Sequence, residues 1–236
     1  MEEDLGRFSV IKSNFKIFEE DNVKYILKEI NPTTLNKMIG QVKDFTLEYI
    51  SRLKSSGIPF PGIKEYYIED NKIFFVCNYM GENLFKLIIE KDPKDLIKKN
   101  EILLQIFNIF KKAKEANLDI DPHPKNFVLE GNKIYYVDFS PPYLPEYNKL
   151  VINNIAEKYR GLAKRNFAAF SPSELGYHFA GDLLKENNEF EKIMPNLYSY
   201  LKQEEIIDGS FEKFIKRANE IKKIELERVR RKVFLI

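Results

Sequence analysis

The hydrophobic pattern changes period near residue 80, and that change limits the fold more than any other feature of the chain. Through residues 8–30 apolar and polar positions alternate, as in Phe15-Lys16-Ile17 and Val23-Lys24-Tyr25-Ile26-Leu27-Lys28, around the polar turn Glu19-Glu20-Asp21-Asn22. Alternation puts successive side chains on opposite faces, so a β-meander is predicted. Asn31-Pro32-Thr33-Thr34 then supplies helix-start chemistry. Leu35, Met38, Ile39, Val42, Phe45, Tyr49 and Leu53 recur at three and four, which predicts one amphipathic helix over 35–53. Gly57, Pro59, Pro61 and Gly62 end it, because proline lacks a donor and restrains the residue before it. Two strands are predicted at 64–68 and 72–78, joined by the tight turn Glu69-Asp70-Asn71. The first eighty residues thus read β-β-β-α-β-β.

Beyond Gly81 helices take over. A short one is predicted over 84–89 and a long one over 95–116, where Leu96, Ile97, Leu103, Leu104, Phe107, Ile109 and Phe110 cover enough surface to mark a buried core helix. A loop over 117–126 leads into a hairpin, Phe127-Val128-Leu129 and Ile134-Tyr135-Tyr136-Val137, turning at Glu130-Gly131-Asn132-Lys133. Pro141, Pro142 and Pro145 forbid regular structure just after it, and 148–236 is helical by pattern. Ser171-Pro172-Ser173-Glu174 reads as a capping box, which also accounts for Glu174 better than metal-ligand spacing with His178 does. The fold class expected is α+β: a small antiparallel β-sheet lobe with one helix (1–80), then a larger, mainly helical lobe (81–236).

Composition removes whole classes of function. With 38 Lys and Arg against 36 Asp and Glu in 236 residues, the formal charge is +2, and no global field draws nucleic acid or an anionic membrane. The near-neutrality is a cancellation: from Lys213 onward nine basic residues face three glutamates, so a local contact by this basic C-terminal helix stays open. A docked terminal helix with Phe214, Ala218, Ile221, Val229 and Val233 turned inward is the simpler expectation. The single cysteine, Cys77, excludes an internal disulfide and sits in an apolar run, as a buried thiol would. The acidic N-terminus lacks the features of a signal peptide, and no apolar run approaches the ~20 residues of a membrane span, so a cytoplasmic protein is expected.

The chemistry is concentrated in Asp121-Pro122-His123-Pro124-Lys125-Asn126 and in Asp138-Phe139-Ser140. The hairpin between them brings Asn126 and Asp138 to the same end of two paired strands. An oxygen pair of that kind suits Mg²⁺, which takes one or two protein side chains together with substrate phosphates. Asp121 faces the same end as a free carboxylate able to accept a proton from an attacking hydroxyl. As turn formers alone, Asp121 and Asn126 would not require that spacing or the Val137-Asp138-Phe139 that follows.

Asp-x-His-Pro-x-Asn, followed by a strand, a turn, a strand and Asp-Phe, resembles the catalytic and metal loops of the protein-kinase-like superfamily. The His-Pro is most similar to the small-molecule branch that includes aminoglycoside and choline phosphotransferases. The resemblance implies Asp121 as catalytic base, Asn126 and Asp138 as Mg²⁺ ligands, and Lys28 as the strand lysine on the phosphates of ATP. It further implies a hinge in which Asn78 and Met80 offer backbone groups to the adenine, with Cys77 at the rear of the pocket. Gly6 is an isolated remnant of the family's glycine-rich loop, leaving Ser9, Ser13 and Asn14 as the other loop residues before Lys28, with Ser13 and Asn14 taken as phosphate-facing. Glu48 and Asp44 are the helix carboxylates available to Lys28, with Glu48 taken for the site, since the family's position for it holds Thr46, and Asp119 replaces the histidine two residues before the base. His123 is expected to fasten the loop by a hydrogen bond. Phe139-Ser140-Pro141-Pro142-Tyr143-Leu144-Pro145 leaves no activation segment, which favours a small-molecule hydroxyl acceptor over a regulated protein kinase. The alternative is a pseudokinase, a nucleotide-binding or interaction module without turnover.

Overall fold

The computed structural model describes residues 8–9, 12–86, 94, 97, 100–230 and 233–234. Gly6, the end of the short helix expected over 84–89 and the start of the long helix expected over 95–116 lie outside the described residues.

Strands β2 (Lys12–Glu20), β3 (Val23–Asn31), β4 (Ile63–Glu69) and β5 (Lys72–Asn78) form one antiparallel sheet in the order β2-β3-β5-β4. Both hairpin turns place two polar residues in the left-handed region, Asp21 (φ 51°) with Asn22 (φ 62°) and Asp70 (φ 48°) with Asn71 (φ 56°). Asp and Asn tolerate that conformation, and its twist matches the flanking strands. These turns fix the register: Phe15 stands opposite Lys28, and Lys28 opposite Phe75. The expected meander is corrected at its first strand. β1 (Phe8–Ser9) leaves the sheet and pairs in parallel with β9 (Val233–Phe234) at the other end of the chain.

Helix α1 (Ile39–Ser55) covers one sheet face with Val42, Thr46, Tyr49, Ile50 and Leu53, all buried. Its exit is tied off by Ile58 N–H on the Leu53 carbonyl, while the Pro59 carbonyl accepts Tyr136 N–H at 2.9 Å. That second bond joins the α1–β4 connection to Tyr136, in the hairpin between Asn126 and Asp138. Beyond Asn78 come the short strand β6 (Glu82–Asn83), helix α2 (Asn100–Glu115) and the hairpin β7 (Phe127–Glu130) and β8 (Lys133–Tyr136), with β6, β7 and β8 forming a three-stranded sheet. Gly81, at φ 94°, permits the approach of β6, since a Cβ there would lie 2.2 Å from the Leu129 carbonyl oxygen. The remaining helices are α3 (Pro145–Asn154), α4 (Glu157–Ala168), α5 (Leu175–Glu186), α6 (Met194–Gln203) and α7 (Phe211–Arg230). The structure is therefore α+β and bilobal, a small antiparallel sheet with one helix followed by a larger helical part.

The core of the helical part is aromatic. Phe107 and Phe110 of α2, Phe127 of β7 and Phe179 of α5 are buried, with edge-on ring pairs at 5.8–6.4 Å. Each such pair adds roughly 0.5–1.5 kcal/mol beyond its area. Leu104, expected on the buried surface of α2, faces solvent instead. Phe214, Ala218 and Ile221 of α7 are buried as their spacing predicts, and no helix among the described residues is long and apolar enough to cross a membrane.

The capping box is overturned. Ser171 to Glu174 make a turn, Glu174 N–H on the Ser171 carbonyl, and α5 starts only at Leu175 without a side-chain cap. The Glu174 carboxylate instead accepts from Arg217 Nε at 2.7 Å, so α7 takes the group that would have closed the box.

Candidate active site

The loop after α2 is shaped by bonds that need its particular residues. Asp121 Oδ1 accepts His123 N–H at 2.9 Å, and His123 Nδ1 accepts Lys125 N–H at 3.1 Å. Pro124, Lys125 and Asn126 then form a 3-10 turn, whose last residue donates its side-chain amide to the Asp121 carbonyl at 3.2 Å. His123 thus fastens the loop, and its Nε2 lies 3.4 Å from Glu186 of α5. The bonding to His123, helped by Lys185, holds the Glu186 carboxyl down to about 2.

Two tyrosines join this loop to the rest of the fold. Tyr49 of α1 donates to the Asp119 carbonyl at 2.8 Å, and Asp121 N–H donates to the Tyr136 hydroxyl at 3.1 Å. Both rings are completely buried, and burial raises both phenols. Sequence reasoning missed this role, although Tyr49 was legible as part of the apolar face of α1.

The hairpin does bring Asn126 and Asp138 together. Phe127 pairs with Tyr136, and one step further the Asn126 carbonyl accepts Val137 N–H at 2.9 Å, leaving Asp138 just beyond. Asp138 Oδ1 accepts from Lys28 Nζ at 3.1 Å and from Ser140 N–H at 3.3 Å. Lys28 also stands 4.2 Å above the ring of Phe139, which packs edge-on to Phe75 and Phe60. A strand lysine and the hairpin carboxylate, 110 positions apart, therefore meet.

The carboxylates differ in environment. Burial alone would raise Asp121, but Lys125, His123, His178 and the His123 N–H outweigh it and hold it below its ordinary value. Asp138 goes the other way: burial outweighs the pull of Lys28 and keeps it above. Asp119, with burial and no cation to oppose it, rises to about 6.

Other expected site residues fare unevenly. Ser13 lies on the Lys28 face of the sheet and its hydroxyl is 3.2 Å from that of Ser140, which brings it to the site. Asn14 is corrected: it stands opposite Glu29, and since directly opposed residues share a face, it points away from Lys28. Phe15, opposite Lys28 and 73% exposed, is the residue that parity selects in its place. Glu48 is also corrected. It faces solvent and pairs with Arg52 at 2.6 Å across one helical turn, while Asp44 pairs with Lys43 at 3.0 Å. Thr46 is buried, its hydroxyl on the Val42 carbonyl. Asn78 already donates its N–H to the Gly62 carbonyl at 2.9 Å, which removes it as a free hinge donor, whereas Met80 N–H makes no bond among the described residues. Cys77 is buried behind this segment, and burial pushes its thiol up to about 11. Asp182 of α5, buried beside His178, belongs to the same region and was missed. Its signal was the i, i+4 spacing to His178.

No protein-family model and no curated protein matches the chain. Among the solved structures similar to it is the kinase domain of PknI from Mycobacterium tuberculosis, in a mutant form, with 15% identity, a TM-score of 0.42 and 90% of each chain covered. The geometry of Lys28, Asp121, Asn126 and Asp138 stands on the residues of this chain.

Proposed function

We propose that the chain is a kinase-like phosphotransferase that moves the γ-phosphoryl group of ATP to a hydroxyl of a small molecule. The carrying observation is the meeting of Lys28 with Asp138 at 3.1 Å, beside the loop that holds Asp121 and Asn126. On this reading residues 1–80 are the nucleotide-binding lobe and 81–236 the lobe with the catalytic and metal loops. Lys28 orients the phosphates. Phe15 and Ile17, exposed on the same sheet face as Lys28, offer an apolar surface to the base. Met80 N–H supplies a hydrogen bond to its edge. Asp121, held below its ordinary value with help from Lys125 and the His123 N–H, accepts the proton of the acceptor hydroxyl.

The residues present fit Mg²⁺. The Asn126 side-chain oxygen and Asp138 Oδ2 accept no hydrogen bond among the described residues, so a carboxamide and a carboxylate oxygen are uncommitted. These two would hold the ion, which when bound supplies charge neutralisation for the phosphates. The protein's own contribution is positioning. A small acceptor is favoured because Phe139, Ser140, Pro141, Pro142, Tyr143 and Leu144 are all buried and run directly into α3, with no room for a regulatory loop. A reducing, cytoplasmic setting agrees with the single buried thiol.

One observation favours a second reading, a pseudokinase. No carboxylate of α1 reaches Lys28, whose ammonium is engaged by Asp138. A Mg·ATP thermal-shift titration beside ATP consumption over a broad panel of hydroxyl acceptors, with wild type and Asp121→Asn, separates the two. Turnover abolished by Asp121→Asn with nucleotide binding retained supports the enzyme. Binding without turnover over the whole panel supports the pseudokinase, and absence of nucleotide binding refutes both.

A further inference from the structure

Beneath the catalytic loop the fold assembles a second group of ligating side chains. One ligand atom each from Asp121, His178 and Asp182 lies within 4.8 Å of the other two. His178 and Asp182 are four residues apart on α5, so they share the face of the helix that looks at the loop. That helix is fixed in place: ten of its residues are buried, and at Gly181 a Cβ would lie 2.8 Å from the Ala218 carbonyl of α7.

Two features of this group go beyond proximity. Asp182 is 1% exposed, yet neither of its carboxylate oxygens accepts a hydrogen bond. The nitrogens nearest to it are His178 Nε2 at 3.6 Å and Lys185 Nζ at 3.8 Å, both outside hydrogen-bond range. Buried carboxylates are ordinarily paired or bound to a metal, because desolvation without a partner is strongly unfavourable. His178 shows the complementary preparation. Its Nδ1 is 2.9 Å from the Ala169 carbonyl, which can only accept, so that nitrogen carries the proton and the Nε2 lone pair faces Asp182. An imidazole held by a backbone carbonyl with its other nitrogen free is the usual arrangement of a metal-ligating histidine. Stacking on Phe170 at 4.9 Å fixes the ring plane.

We propose that Asp121, His178 and Asp182 form a binding site for a divalent transition-metal ion of the zinc class, separate from the Asn126 and Asp138 oxygens. The donor set decides the class: one imidazole and two carboxylates suit Zn²⁺ with a fourth, open position, whereas Mg²⁺ takes oxygen ligands in a near-octahedral shell. Ligand bonds of about 2.0–2.1 Å place neighbouring donors roughly 3.3 Å apart; His178 and Asp182, at 3.6 Å, are already close to that, and side-chain rotations closing the widest separation by up to about 1.5 Å complete the site. The ion neutralises two adjacent carboxylates and gives the Asp182 oxygens, which accept no hydrogen bond, a direct ligand contact. It also ties up the Asp121 carboxylate, so Asp121 accepts a proton only while the ion is absent; binding itself does not depend on any phosphotransfer activity.

The test titrates the full chain, freed of metal by chelator, with Co²⁺ as a spectroscopic substitute and then with Zn²⁺. One Co²⁺ per chain with the visible absorption of a four-coordinate ion is expected, displaced by Zn²⁺ and not by millimolar Mg²⁺. The shape-conserving variants His178→Gln and Asp182→Asn weaken binding at least tenfold, and Asp138→Asn leaves it unchanged. A band of equal strength in both variants, or no band in the wild type, overturns the proposal. Imidazole nitrogen resonances of the wild type test it without any variant, since the chain has two histidines. Zn²⁺ must shift the Nε2 signal of His178; a shift confined to His123, or none, refutes the site.

Discussion

Replacing Lys28 with Met removes an ammonium and keeps most of the stem, so it isolates the charge. The ammonium lies 3.1 Å from Asp138, with side chains 15% and 13% exposed, and 4.2 Å above Phe139. Breaking a fully buried pair from one side destabilises by roughly 3–5 kcal/mol, because a bare charge is left behind. The residual exposure here lowers that, and loss of the ring contact adds back ~0.5–1 kcal/mol, for a net loss of about 2–3 kcal/mol at pH 8. The pH dependence has a definite sign. Burial already holds Asp138 above its ordinary value, and losing Lys28 raises it further. A raised folded-state pKa leaves the protonated form undisturbed, so the deficit shrinks towards about pH 4 and grows as pH rises through the folded value. Urea denaturation of wild type, Lys28→Met, Asp138→Asn and the double variant at pH 8 and pH 5 tests this. The double variant, with neither charge left unpaired, is expected to be more stable than the sum of single losses by at least ~1.5 kcal/mol. Additivity within about 0.5 kcal/mol, or a loss independent of pH, refutes the reasoning.

Tyr49→Phe leaves the Asp119 carbonyl without its donor and is expected to lower stability by about 1–2 kcal/mol while leaving the apolar packing of α1 intact; an unchanged urea midpoint contradicts that. Asp119 rises from 3.8 to about 6 on folding, so the wild type loses stability as pH climbs through that interval. Asp119→Asn removes the dependence and should be the more stable protein at pH 7 by about 1–2 kcal/mol, after discounting for solvent access, with the advantage gone near pH 4; parallel stability–pH curves speak against it. Gly81→Ala meets both a positive φ of 94° and a carbonyl oxygen 2.2 Å from the new Cβ. A loss of at least about 2 kcal/mol is expected, with weakened amide protection at Glu82 and Asn83, and an unaltered melting temperature refutes the close approach.

What the sequence revealed about this fold was whatever depends on neighbours in the chain. Asp21-Asn22 and Asp70-Asn71 name their turns because few other residues accept that backbone, and each turn then fixes a strand register. Asn126 and Asp138 were legible as neighbours because a short hairpin leaves no other geometry. The same register shows Phe15 rather than Asn14 opposite Lys28, so that error lay in ignoring parity and not in missing information. What was not legible was the choice among chemically equivalent partners far apart in sequence. Glu174 can close a helix or pair with an arginine, and only the docking of α7, which delivers Arg217, decides it. Nothing local tells Glu48 to take Arg52 and leave Lys28, because that depends on the rotation of α1 about its axis. The pairing of Phe8 with Val233 lies beyond any pattern argument, since it spans the whole chain.

The two charged clusters of the site differ in a way that follows from these placements. Lys28 and Asp138 satisfy each other, so on the proposed reading a phosphate chain and its counter-ion enter together: either alone takes one member of the pair and strands the other in a mostly buried setting. On the proposed reading this couples nucleotide and metal binding without a helix carboxylate, because Asp138 itself occupies Lys28 until the phosphates replace it. Asp182 accepts no hydrogen bond and has only the more distant His178 and Lys185 nitrogens, at 3.6 and 3.8 Å, and the helix that carries it is too tightly packed against α7 to withdraw it into solvent. The first cluster exchanges partners when ligand arrives. The second can only gain one, which is why the two proposed sites are assigned different ions.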